Sequence, residues 1–136
     1  MTIVVDASVA LKWVMPEEQS AAAMALRSSV ELIAPVIWIT EAANGLWKYV
    51  ARRELDLSEA QQRLSRLRSA PVAANAIDDD IEDALRLATE LSHPVYDCLY
   101  LALALRRNTY VVTADGRFAA LAGRKADLAG RIRRLA

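Results

Sequence analysis

Short runs of consecutive apolar residues alternate along this 136-residue chain with longer stretches in which apolar positions recur every three or four residues. The first pattern suits strands buried on both faces of a parallel sheet, and the second suits amphipathic helices. Ile3-Val4-Val5 is the first such run, and it ends at Asp6. Ala7 to Met15 then winds as a short helical turn carrying Leu11 and Val14, and Pro16 with Glu17 and Glu18 opens a helix reaching about Ser28. Glu31 to Ala34 predicts a second short strand, closed by Pro35. After it, Ile37, Leu46, Tyr49 and Val50 mark an amphipathic helix running toward Arg53, with Glu41 in its first turns.

Ser58 through Leu67 reads as the next helix, with Ser58 and Gln61 in capping-box spacing, and the short loop before it predicts a helical hairpin. Val72 to Ile77 is a third strand, although its alanines dilute the β-branched signal. Asp78, Asp79 and Asp80 precede Ile81, Ala84, Leu85, Ala88 and Leu91, whose spacing describes one helical face. The acids then stand where a helix dipole favours negative charge, and the cluster reads as a solvated helix start. Pro94 ends that helix and opens another, which carries Asp97, Leu101 and Leu105 and finishes near Arg107-Asn108. Tyr110 to Thr113 is the clearest late strand, and Asp115-Gly116 turns it into a helix containing Phe118 and Leu121. In the basic tail, Ile132 and Leu135 anchor a final strand. This alternation predicts an α/β fold with a mostly parallel sheet covered by helices on both faces, and ligands in such folds bind outside the carboxyl ends of the strands. Nothing in the chain repeats or reads as a linker, so residues 1–136 are expected to form one domain.

Composition narrows the function classes. The 17 Lys and Arg balance the 17 Asp and Glu, so a global polycation that grips nucleic acid by charge alone is excluded, while a local basic face is not. Arg52, Arg53, Arg63, Arg66 and Arg68 and the tail could form such a face. The single cysteine, Cys98, has no internal partner and lies in an apolar run, which predicts a buried, inert thiol and fits a reducing cytosol. No basic leader precedes the first apolar run and no apolar stretch is long enough to span a bilayer, so a cytoplasmic protein is expected.

Four acids carry the candidate chemistry. Asp6 ends a strand, Glu41 sits between Ile39 and Ala42-Ala43, Asp97 lies between Tyr96 and Cys98-Leu99-Tyr100, and Asp115 follows the late strand. An ionised carboxylate among apolar neighbours is costly unless a cation or donors compensate it. Several such oxygens at one sheet edge suit a hard divalent ion. Each acid also has a plainer role: Asp6 or Ser8 as a helix cap, Glu41 and Asp97 as first-turn dipole partners, and Asp115 as ordinary turn and N-cap chemistry. Ser8, Asn44 and Thr113 are placed to support the acids with hydroxyl or amide groups. His93 has no second His or Cys with which to build a zinc site and reads as a helix-end residue. No P-loop, nucleophile elbow or dinucleotide fingerprint occurs.

Taken in order, Val4-Val5-Asp6-Ala7-Ser8, then Glu41 with Asn44, then Tyr96-Asp97-Cys98-Leu99-Tyr100-Leu101-Ala102-Leu103-Ala104, then Val112-Thr113-Ala114-Asp115 resemble the PIN-domain family over nearly the whole chain. Order, spacing and length most resemble the VapC toxins of toxin-antitoxin modules. The resemblance implies an α/β/α sandwich with a parallel sheet of four or five strands, and a Mg²⁺- or Mn²⁺-dependent endoribonuclease. It makes Asp6, Glu41, Asp97 and Asp115 the metal-binding and catalytic acids, with Ser8, Asn44 and Thr113 in support. It also implies an RNA substrate, a homodimer, and a VapB-type antitoxin that covers the acidic cleft, with the hairpin around Trp47 to Leu67 as a further contact. Gly116 stands where a larger, often basic residue is frequent in the family, and the tail matches the usual final strand poorly. Two other readings compete. An aspartyl-phosphatase chemistry wants a second acid two residues after Asp6, where Ser8 stands. A non-catalytic PIN-like module binding RNA or protein would not need the complete set of four acids.

Overall fold

In the computed structural model of the chain, which describes residues 1–136, five strands pair in parallel throughout. They are β1 (Thr2–Val5), β2 (Glu31–Pro35), β3 (Val72–Asn75), β4 (Val111–Thr113) and β5 (Ile132–Arg134), in the order β3-β2-β1-β4-β5. The chain therefore moves outward from β1 to β3, returns to the other side of β1, and continues to β5. The reversal leaves a crevice between the carboxyl ends of β1 and β4, the place where open parallel sheets bind ligands. Asp6 follows β1 directly, and Asp115 follows β4 by two residues.

Seven α-helices connect the strands: α1 (Ala7–Ala10), α2 (Ser20–Ser29), α3 (Trp38–Ala51), α4 (Leu57–Arg68), α5 (Ile81–Leu91), α6 (Val95–Arg106) and α7 (Gly116–Ala120). Right-handed crossovers in this strand order place α1 to α4 on one face and α5 to α7 on the other. The α3 and α4 helices form the expected hairpin, and α5 packs on α6, which lies across β1, β2 and β4. Residues Cys98 to Ala104 of α6 are all buried, as befits a helix that is apolar around its whole circumference. Cys98 is among them, and burial pushes its thiol up to about 11, so the inert role holds. No helix is long and apolar enough to cross a membrane.

Local chemistry moves several boundaries. The second helix begins at Ser20 rather than at Pro16, because Ser20 Oγ accepts from the Glu17 N–H (3.0 Å) and donates to the Glu17 carbonyl (2.8 Å), holding the intervening residues as a turn with Gln19 at φ 65°. The capping box of α4 is Asp56 with Glu59, not Ser58 with Gln61: the Glu59 N–H donates to Asp56 Oδ1 (2.8 Å) and the Asp56 N–H donates to Glu59 Oε1 (3.0 Å). Asp80 departs from the solvated cluster. It is buried and takes two hydrogen bonds from the Arg106 guanidinium, at 2.7 and 3.0 Å. The alanine-rich β3 is a short edge strand, where weak propensity costs least. The fifth strand forms despite its atypical sequence, with Thr113 in register with Arg134.

Candidate active site

All four acids picked out in the sequence line one cleft of about 520 Å³, together with Ser8, Asn44, Lys48 and Tyr96. Asp6 enters from the end of β1, Asp115 from the end of β4, Glu41 from the first turn of α3 on one face and Asp97 from the first turn of α6 on the other. Thr113 lies just beneath, fully buried at the end of β4. The supporting residues do not share one role.

Asp6 is 5% exposed and is held through one oxygen. Its Oδ2 accepts from Ser8 Oγ (2.6 Å) and from Thr113 Oγ1 (2.7 Å). Each hydroxyl in turn accepts a backbone N–H from the loop after β4: Ser8 from Ala114 (2.9 Å) and Thr113 from Asp115 (3.0 Å). The two hydroxyls also lie 3.3 Å from one another, so Ser8, Thr113 and Asp6 form one connected network. Burial pushes the Asp6 carboxyl up to about 7; the two hydroxyls oppose the shift and the charges of Asp97 and Glu41 add to it.

Glu41 and Asp97 each lean on one side chain that the sequence reading did not place at the site. Tyr100 Oη donates to Glu41 Oε1 (2.6 Å) from the opposite helical layer, so this bond ties α6 to α3 across the end of the sheet. His93 Nε2 lies 2.6 Å from Asp97 Oδ2, and its ring stacks on Phe118. Burial raises both carboxyls above the ordinary range; Tyr100 and His93 pull the other way, and neighbouring acids push further up. Asn44 lines the cleft, but Tyr100 is the group that holds Glu41. Asp115 fulfils its plainer role, since its Oδ1 accepts from the Arg117 N–H (2.9 Å) and caps α7, and it faces the same cleft. Gly45 lets α3 approach the segment after α1: a Cβ there would fall 2.4 Å from Leu11 Cδ1, so a larger residue would push against the cleft wall. At Gly116 the room for a side chain is bounded by the Arg134 guanidinium, 3.3 Å from where a Cβ would stand.

Among the ion pairs of the chain only His93–Asp97 involves a cleft acid, so Asp6, Glu41 and Asp115 have no Lys or Arg partner. Hard anionic oxygens with no cationic partner suit a divalent ion in kind. In spacing they do not yet form a closed set: no three His, Cys, Asp or Glu side chains lie close enough to share an ion as they stand. Like charges hold such groups apart, and closure on a cation takes side-chain movement.

The PIN domain family profile matches residues 3–124, which takes in all four acids. The chain is similar in sequence to Ribonuclease VapC3 of Pyrobaculum aerophilum, 33% identical over 122 residues that cover 88% of this chain and 93% of that protein. The chain therefore belongs to the PIN-domain family, among its VapC-type members. The fold agrees. A crystal structure from Pyrobaculum aerophilum superposes with a TM-score of 0.71 at 22% identity, covering 98% of this chain and 83% of that one. A toxin-antitoxin complex from Klebsiella pneumoniae superposes with a TM-score of 0.63 at 18% identity, covering 87% and 90%.

Proposed function

We propose that this chain is a single-domain, divalent-metal-dependent endoribonuclease, the toxin of a VapBC-type module, with Asp6, Glu41, Asp97 and Asp115 as its acidic centre. The observation that carries this reading is the convergence of four carboxylates from two strand ends and two helix starts on one cleft without Lys or Arg partners. The likeness to Ribonuclease VapC3 supports RNA as the substrate, and the likeness to a toxin-antitoxin complex supports a VapB-type partner. Without a cation, the cleft repels the phosphates it has to bind.

Asp6 and Asp97 would hold the principal Mg²⁺ or Mn²⁺, Glu41 would share it or orient the attacking water, and Asp115 would serve a second ion or its waters. The bound ion would polarise the scissile phosphate, lower the pKa of a water and stabilise the leaving 3′ oxygen. The protein's part is positioning. Ser8 and Thr113 occupy one oxygen of Asp6 and so aim the other, while Tyr100 and His93 hold Glu41 and Asp97 on opposite sides. A carboxyl near pH 7 is half protonated when alone, and loss of that proton is coupled to uptake of the cation. The products carry 5′-phosphate and 3′-hydroxyl ends.

The reading includes a homodimer and a VapB-type antitoxin whose tail covers the acidic cleft, in a cytoplasmic setting. The test is incubation of antitoxin-free protein with structured RNAs, with and without Mg²⁺ or Mn²⁺, beside Asp6→Asn and Asp97→Asn. Metal-dependent cleavage lost in both variants supports the mechanism. Cleavage that survives them, or that ignores chelator, sinks it, and binding without cleavage in either metal favours a non-catalytic module.

A further inference from the structure

Tyr96 is the anomaly of α6. It precedes Asp97 in the first turn and lines the acidic cleft, yet it is 65% exposed while residues 98–104 are buried. On the other wall, Lys48 lies on α3 two turns beyond Glu41, roughly 10 Å along the helix, and it faces the cleft with no ion-pair partner. We infer that Tyr96 is a stacking surface for an unpaired nucleobase beside the scissile phosphate, with Lys48 meeting a neighbouring phosphate oxygen. This rests on the ribonuclease reading above and adds to it two residues outside the acidic centre that would touch the RNA.

The chemistry of the cleft selects this occupant. Three of its twelve lining residues are hydrophobic, so an apolar peptide finds no floor, whereas a charged backbone with a planar ring finds a cation and a free aromatic face. A base inside a helix has its faces covered by its neighbours; an unpaired base can splay out onto an aromatic ring. The other strongly exposed aromatic, Trp47, belongs instead to an apolar groove between α3 and α4, with Leu57 and Leu64. The two exposed rings thus face different kinds of surroundings.

The experiment uses the full chain and a short single-stranded oligoribonucleotide carrying 2-aminopurine, whose fluorescence falls on stacking, beside the same strand in a duplex. Tyr96→Leu is expected to raise KM for the single strand roughly 5- to 100-fold, the span that follows from losing one stacked base. Its kcat should change much less, the quench should vanish, and Tyr96→Phe should restore both. Because the ring is mostly exposed, the melting temperature of Tyr96→Leu should stay near that of the parent. Lys48→Gln should keep the quench while lowering the salt dependence of binding by about one counterion. A wild-type KM and quench in Tyr96→Leu, or equal quenching by duplex, overturns the inference, as does a Tyr96→Leu defect confined to binding of a protein inhibitor. Should the parent protein cleave nothing in Mg²⁺ or Mn²⁺, the ribonuclease reading fails, and the quench still decides the role of Tyr96.

Discussion

The two halves of the acidic cleft are built on different principles. At the strand end, Asp6 is fixed by two hydroxyls that are themselves fixed by backbone N–H groups, so its position is part of the sheet. On the helices, Glu41 and Asp97 each rely on one side-chain partner: Tyr100, whose hydroxyl also meets the Ala7 backbone N–H, and His93, whose ring stacks on Phe118. One half holds its acid through two hydroxyls on a single oxygen, and the other holds each acid through one ring side chain. As they stand, no three of these acids lie close enough to share an ion.

The sharpest way to break this contrast is to remove the fixed acid. Asp6→Asn should lower RNA cleavage by roughly 10²–10³, the size that follows loss of one group stabilising transition-state charge, and Glu41→Gln should fall short of it; equal losses in steady-state assays would erase the distinction. Next come the partners. Tyr100→Phe and His93→Gln should weaken metal-dependent activity about 10- to 100-fold. Thr113→Val should do the same and also destabilise the fold by about 1–3 kcal/mol, because it strands the Asp115 N–H and one bond to Asp6. Chemical denaturation of the three variants side by side measures the difference.

A third effect appears in pH. The Asp6 carboxyl sits at about 7 in the fold against 3.8 when unperturbed, and Glu41 and Asp97 are raised as well. The native state then holds protons that the unfolded chain has released, so stability is fullest below the unperturbed values and declines as pH rises through 7. Melting temperature should fall from pH 5 to pH 8, Asp6→Asn should flatten much of that slope, and Mg²⁺ or Mn²⁺ should restore stability at pH 8 but not at pH 4.5. A melting temperature independent of pH in the parent would contradict the raised carboxyls. The smallest effect lies away from the cleft: Asp56→Ala should cost about 1 kcal/mol by removing the cap of α4 while leaving cleavage unchanged.

Much of this architecture is legible in the chain because its signals are local. Ile3-Val4-Val5 and Tyr110 to Thr113 announce buried strands by composition, and the acids that follow them stand out against apolar neighbours. What escaped was written in contacts. Tyr100 lies 59 residues from Glu41 and hides inside an apolar run, so only the packing of α6 against α3 reveals its hydroxyl as a partner. His93 is four residues from Asp97, but Pro94 separates them into different elements and conceals a pairing that helical spacing would otherwise suggest. Asp80 belongs to a run of three aspartates, and nothing local distinguishes the one that Arg106 reaches. Ser58-Gln61 and Asp56-Glu59 have the same spacing, and the helix start that chooses between them depends on the hairpin turn.

The way Asp6 is anchored bears on ion discrimination. With Oδ2 already accepting two hydrogen bonds, only Oδ1 remains free, so on the proposed function this carboxylate would bind an ion through one oxygen rather than chelate it through two. Calcium is commonly satisfied by carboxylates that offer both oxygens and by six to eight ligands in a loose shell, whereas magnesium takes single oxygens and keeps much of its water. On that reading, two small hydroxyls would act as a size filter, set by how many lone pairs they leave free.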